Sequence, residues 1–137
     1  MLDESNVLFV QDIQKNCNEP VWTSSSLFHL LSKGSGYGYI LKYLNKSIGY
    51  ILLRSLNDEE EVLSLGVLKL NRRQGFASKL FYEFERGVIR KNVQRIFLEV
   101  KVENYGAICF YEFLGLKKIK VLKDYYKTDK GYEDGLL

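Results

Sequence analysis

Apolar residues fall along this chain in two rhythms. Compact apolar or alternating runs predict strands at Val7–Val10, Tyr39–Leu44, Ile48–Leu53, Val62–Leu70, Ile96–Val102 and Leu116–Tyr126, with Tyr132–Leu137 placed to pair with the last. Spacings of three and four predict helices. The clearest carries Ala77, Leu80, Phe81, Phe84 and Val88 inward, with Lys79, Glu83, Arg86 and Arg90 outside. Ala107, Phe110, Tyr111 and Leu114 repeat the pattern up to Gly115. Thr23–Ser26 offer N-cap hydroxyls to a helix bearing Leu27, Leu30 and Leu31 and closed by Gly34, and the polar stretch Gln11–Asn18 is a short helix candidate. Asn45-Lys46-Ser47 reads as a hairpin turn and Asn57–Glu60 as a polar turn, while Gly66 inside a strand marks a bulge or a close backbone approach. The order β-α-α-β-β-β-α-β-α-β-β predicts a mixed α/β domain over residues 1–137, in which three antiparallel strands precede a β-loop-α-β unit with a right-handed crossover.

Composition narrows the chemistry. With 137 residues, 46% hydrophobic and 27% charged, the chain is too apolar for a disordered tail and long enough for one core. It holds one His, one Pro and two Cys, and Cys17 and Cys109 are far apart in sequence, so the usual Cys/His zinc sets are excluded and no metal is expected. A Ser–His–Asp or Cys–His engine would have to run through His29 alone, so any enzyme here works mainly with carboxylates, hydroxyls, phenols, lysines and backbone amides. The net charge of +3 is too mild to imply nucleic acid, and the runs Asp58–Glu61, Arg72–Arg73 and Lys117, Lys118, Lys120, Lys123 read first as solvated faces. No basic segment followed by an apolar stretch opens the chain, and the longest apolar runs are far short of a membrane span, so a cytoplasmic protein with no membrane partner is expected. Cys17 and Cys109 are then reduced thiols, Cys109 a small core residue, and His29 structural.

Three features could carry function. Arg72-Arg73-Gln74-Gly75-Phe76-Ala77 enters the strongest helix, whose first amides and positive dipole end suit a phosphate; Gly75 lets the backbone approach an anion and the arginines add charge at the rim. The loop is neither a Walker loop nor a GxGxxG fingerprint, and alone it is also an ordinary left-handed turn. Glu99 interrupts an apolar strand on the face of Phe97 and Lys101, where it is either a base acting through water or a solvated partner of Lys101. Asn104 can cap the next helix, and Tyr111, two turns on, shares its face, as a core phenol or as an acid for a thiolate or alkoxide.

Together these stretches resemble the GNAT superfamily of acetyl-CoA-dependent N-acetyltransferases, most nearly the RimI-type ribosomal-protein alanine N-acetyltransferases. Leu65-Gly66-Val67 with Arg73-Gln74-Gly75-Phe76-Ala77-Ser78 is similar to the family's acetyl-CoA motif, Phe97–Asn104 to its LEVR-x-SN strand, and Ala107–Leu116 to A-x-x-x-Y-x-x-L-G-F. Asp124-Tyr125-Tyr126 with Gly131-Tyr132-Glu133-Asp134 is similar to its R-x-Y-Y and G-x-E-D-A ending, and Pro20-Val21-Trp22-Thr23 is a looser echo of a PWS element. Ala77 stands for the commoner second Gly, and Leu68-Lys69 for a frequent Asp-Pro.

The resemblance implies a GNAT-like α/β fold: a central, mostly antiparallel twisted sheet, flanking helices, a bulge in the Gly66 strand and a splay at the strand of Glu99. It implies acetyl-CoA as cofactor, with Leu65, Gly66 and Val67 at its acetyl and pantetheine portion. Arg73, Gln74, Gly75, Phe76, Ala77 and Ser78 would lie around its pyrophosphate, and Asn104 would hydrogen-bond it. Glu99 takes the place of the general base and Tyr111 that of the acid, while Trp22, Tyr125 and Tyr126 fall where substrate is bound. The expected reaction is direct acetyl transfer to the N-terminal α-amine of a protein, a ribosomal-protein alanine first; the alternatives are a GNAT acting on a small amine or a lysine, and a CoA-binding module without catalysis.

Overall fold

The structure, a computed structural model, describes residues 1–17 and 20–137. They form two compact units, Met1–Ile96 and Phe97–Leu137.

In the first unit Val7–Val10 is helical. Asp3 and Asn6 form a capping box around the 3-10 turn Glu4–Asn6, which runs into α1 (Val7–Lys15). Val7, Val10, Ile13 and Gln14 are its buried positions, a helical spacing that the four-residue apolar run conceals. Asn18, the end of the expected short helix, lies outside the described residues. Helix α2 (Ser24–Ser32) starts as expected, with Thr23 Oγ1 accepting from the Ser26 amide at 3.1 Å.

Strands β1 (Gly36–Tyr43), β2 (Lys46–Leu56) and β3 (Glu59–Val67) form an antiparallel meander. The β1–β2 turn is the pair Leu44-Asn45, both at positive φ, which matches the twist of the flanking strands. Strand β2 is buried without interruption from Ile48 to Leu53, as a strand covered on both faces must be. Tyr50 and Leu52 join Leu2, Val7, Val10, Ile13, Leu27 and Leu30 in one core cluster. Alternation sends Ile51 and Leu53 to the other face, where α3 (Phe76–Ile89) packs on β2 and β3 through Leu80, Phe81, Phe84 and Val88.

Two expectations on β3 need correcting. The strand ends at Val67, and Lys69–Asn71 form a 3-10 turn. Its bulge lies at Leu63, where the register passes from Leu52↔Ser64 to Leu53↔Val62, whereas Gly66 pairs regularly with Tyr50. Gly66 is there for space: a Cβ would stand 2.5 Å from Ile13 Cγ2 and 2.9 Å from Tyr50 Cε1.

The strand expected at Ile96–Val102 is two short ones. Strand β4 (Arg95–Leu98) ends the four-stranded order β1-β2-β3-β4, and β5 (Val100–Lys101) belongs to a three-stranded sheet of order β5-β7-β6, with Glu99 at the break. In the second unit α4 (Tyr105–Phe113) is capped by Asn104, whose Oδ1 accepts from the Ala107 amide at 3.2 Å. The last long strand is shorter than expected at its start: β6 is Val121–Thr128, and β7 (Gly131–Leu136) pairs with it and with β5. Cys109 is exposed on α4 rather than in a core.

Candidate active site

The first unit supplies an anion cradle. Arg73 (φ +61°) and Gly75 (φ +79°) both turn left-handed, and Gly75 is the N-cap of α3. A helix leaves its first amides without intrahelical partners, and among the described residues no side chain caps them. Nothing stands within 4 Å of the place a Gly75 Cβ would take, so the approach to these amides is open. Gly75, Arg73 and Gln74 are exposed, and Phe76, Ala77 and Ser78 half-buried. Unpartnered donors, a positive helix end and an exposed guanidinium fit the pyrophosphate of an acetyl-CoA.

Arg72 does a different job from the one expected at a rim. Its Nε donates to the Val67 carbonyl at 2.9 Å, and Nη2 to the Asn16 carbonyl at 2.9 Å and toward Cys17 Sγ at 3.0 Å. It therefore ties the end of β3 to the end of α1.

The Val67 bond also reveals how the strand is turned. The Leu68 amide bonds to the Ile48 carbonyl at 2.8 Å, which makes Ile48 and Leu68 a hydrogen-bonded pair, and by alternation Tyr50 and Gly66 as well. Leu65 and Val67 therefore point their backbone N–H and C=O away from β2. These are the amides that the family resemblance assigns to the acetyl portion. Gly66, between them, presents its backbone to β2 and its missing side chain to Ile13 and Tyr50.

Trp22 also belongs to the first unit. It is half-buried against the core cluster, and both of its backbone groups are held by α1: its N–H donates to Gln14 Oε1 at 3.0 Å and its carbonyl accepts from Gln11 Nε2 at 2.8 Å.

The second unit gathers Glu99, Tyr125 and Tyr126. Glu99 is half-buried, and its Oε2 accepts a short hydrogen bond from the Tyr125 hydroxyl. The Tyr125 and Tyr126 rings meet edge to face with centroids 5.0 Å apart, and Lys101 Nζ lies 6.0 Å from the Tyr126 ring and 3.5 Å from Glu133. Lys101 is therefore paired to Glu133, not to Glu99. On α4, Asn104, Ala107, Ile108 and Tyr111 are half-buried while Tyr105, Cys109, Glu112 and Phe113 are exposed, so the expected face is the sheltered one. The Tyr111 ring packs on Phe110 at 5.2 Å.

Sequence reasoning placed Tyr125 on the strength of resemblance alone, and missed its bond to Glu99. The cause is a bulge in β6. Leu122 pairs with Gly135 and Tyr126 with Glu133, so Lys123, Asp124 and Tyr125 all stand opposite Asp134. In a regular strand Tyr125 and Tyr126 would face opposite ways. Here both rings reach the place where a Gly135 Cβ would be, at 3.1–3.3 Å.

The first unit thus carries a strand-turn-helix cradle suited to phosphate and strand amides turned away from β2, and the second a carboxylate held by a phenol. Residues 7–116 match the acetyltransferase (GNAT) family, and the chain belongs to that family, whose members transfer acetyl groups from acetyl-CoA. It is 38% identical over 103 residues to an N-alpha-acetyltransferase of Saccharolobus solfataricus; the match covers 74% of this chain but only 62% of that relative's length. It is 27% identical over 103 residues to the [ribosomal protein bS18]-alanine N-acetyltransferase of Escherichia coli, covering 70% of each. The crystal structure of the ribosomal-protein-S18-alanine N-acetyltransferase from Escherichia coli superposes with a TM-score of 0.86 at 22% identity, over 98% of this chain and 86% of that one, which shows the GNAT-like α/β fold. No helix among the described residues is long and apolar enough to cross a membrane.

Proposed function

We propose that residues 1–137 act as one acetyltransferase domain that acetylates the N-terminal α-amine of a protein, an alanine end of a ribosomal protein being the first candidate. The observation that carries this reading is Glu99, a half-buried carboxylate at the break between β4 and β5, held by the Tyr125 hydroxyl. The family match runs across both units, and the relatives named above are an N-alpha-acetyltransferase and a ribosomal-protein-alanine N-acetyltransferase.

An α-amine has a pKa near 8, so at neutral pH it arrives mostly as an ammonium and must lose a proton before it can attack. Glu99 takes that proton, directly or through a water; Tyr125 holds Oε2, which leaves Oε1 to receive it. Bound acetyl-CoA supplies an acetyl thioester and needs no metal for the transfer. The amides of Leu65 and Val67, turned away from β2, stabilise negative charge on the carbonyl oxygen, and Tyr111 holds a phenolic proton for the departing sulfur. The cradle of Arg73 to Ser78 binds the pyrophosphate, Asn104 hydrogen-bonds the cofactor besides capping α4, and Trp22, Tyr125 and Tyr126 are each assigned to substrate.

The test is turnover with acetyl-CoA on a panel of peptides with different free N-termini, N-terminally blocked lysine peptides, and spermidine. Acetylation of free peptide ends, alanine among the best, is expected. Turnover confined to spermidine or to blocked lysine peptides would overturn the assignment of acceptor, and acetyl-CoA binding without turnover on any amine would overturn catalysis itself.

A further inference from the structure

We propose that Asp134 is a positioning residue for the base: its carboxylate props open the bulge in β6 that turns Tyr125 toward Glu99. The inference rests on the reading of Glu99 as base and assigns a task to a residue outside the catalytic and binding set proposed above.

Four observations converge on it. The bulge sets three residues of β6 against Asp134 alone, which strips Asp124 of its ladder partner. Asp134 fills the gap: Oδ1 accepts from the Asp124 amide at 2.9 Å and Oδ2 from Lys123 Nζ at 2.7 Å. Both bonds favour the ionised carboxylate, whose pKa is lowered first by the Lys123 ammonium and then by the Asp124 N–H. Asp124 itself sits at φ +48°, a left-handed conformation uncommon outside Gly that Asp tolerates better than most residues, and one that breaks the regular extended strand at this point. Finally, Gly135 follows Asp134 and leaves the space that both tyrosine rings enter.

Without the Asp134 acceptor the Asp124 amide loses its partner, and the least costly relaxation is a regular ladder. That ladder returns Tyr125 to the face opposite Tyr126 and away from Glu99. Lys123 contributes less, since its side chain is 80% exposed and the ion pair is screened by solvent.

The experiment measures kcat, and KM for acetyl-CoA and for the acceptor peptide, in Tyr125→Phe, Asp134→Ala, their double variant, Asp134→Asn, Lys123→Ala and Glu99→Gln. Tyr125→Phe and Asp134→Ala are each expected to lower kcat about tenfold with the acetyl-CoA KM unchanged, and the double variant about tenfold rather than a hundredfold, because one acts through the other. Asp134→Asn keeps an oxygen for the Asp124 amide and should stay within about threefold of wild type, as should Lys123→Ala. Deleting Lys123 and Asp124 together leaves one residue opposite Asp134 and removes the bulge by another route; it should lower kcat as Tyr125→Phe does, and decides the matter if Asp134→Ala does not fold. Wild-type kcat in Asp134→Ala or in the deletion, or multiplicative losses in the double variant, would overturn the role of Asp134. Wild-type kcat in Glu99→Gln would instead overturn the base, so the two failures are told apart.

Discussion

Gly66→Ala separates two reasons for a glycine in the strand that the family resemblance assigns to acetyl-CoA. The added methyl would lie 2.5 Å from Ile13 Cγ2 and 2.9 Å from Tyr50 Cε1, on side chains that are each 1% exposed. Carbon atoms in contact sit about 3.5–4.0 Å apart, so the overlap is about 1 Å. Tyr50 cannot easily swing clear, because its hydroxyl is bonded to Ser64 Oγ at 2.6 Å inside the core. Overpacking of this kind costs about 1–3 kcal/mol, offset by about 0.4–1 kcal/mol from stiffening the unfolded chain. A net loss of about 1–2 kcal/mol lowers Tm by roughly 3–10 °C in a chain of this size. Thermal melts followed by circular dichroism measure it, and calorimetry well below Tm should find acetyl-CoA affinity within about threefold of wild type, since the methyl points to α1 and not along the amides turned away from β2. In an Ile13→Ala background the added methyl should cost almost nothing, a coupling of about 1 kcal/mol or more. An unchanged Tm with lost acetyl-CoA binding would refute the steric account and return Gly66 to the ligand.

Three further outcomes are expected. Glu99→Gln and Tyr111→Phe should each lower kcat by about 10²–10⁴ while leaving acetyl-CoA affinity intact by calorimetry, and affinity falling in step with rate would refute the proton-transfer roles. Arg72→Ala should lower stability in urea melts by about 1.5–3 kcal/mol through its lost charged hydrogen bonds, whereas Arg73→Ala should leave stability within about 0.5 kcal/mol and instead weaken acetyl-CoA in a salt-dependent way; the reverse pattern would contradict the division of labour between them. The folded state binds the Asp134 proton more weakly than the unfolded chain does, so this carboxylate's contribution is whole above about pH 4 and disappears as pH falls through its lowered folded value. Any Tm gap between wild type and Asp134→Asn at pH 6 should therefore close as acid is added, and a gap constant down to pH about 2 would refute the pairing.

What was legible in the sequence was what local rules decide. Leu80, Phe81, Phe84 and Val88 are buried as their spacing requires, Thr23 and Asn104 cap as their chemistry requires, and the less exposed face of α4 is the one that carries Tyr111. Val7–Val10 misled because four apolar residues suit a strand as well as a helix; Asp3 and the continuation to Ile13 were the signals that decide it. Gly66 was rightly singled out but for the wrong one of its two reasons, since a bulge is set by pairing with a distant strand and Leu63 carries no local mark of it. Arg72 beside Arg73 looked like twice the same charge, and only tertiary structure reveals that one is bonded to the Val67, Asn16 and Cys17 groups. The Glu99–Tyr125 bond was hidden for the same reason: alternation, the rule that reads strands, fails at a bulge.

The two glutamines of α1 that grip the Trp22 backbone bear on any exchange of the segment that carries this residue, proposed above to meet substrate. Gln11 and Gln14 act on Trp22 as a neighbouring strand would, one accepting its N–H and the other donating to its carbonyl. The address of that indole is thus written one helix upstream. A transplanted α1–α2 connection from a relative would arrive without its moorings unless those two helix positions travelled with it. Swapping Pro20 to Thr23 alone changes the side chains on offer; swapping residues 11–23 as a block also brings the hooks that hang them.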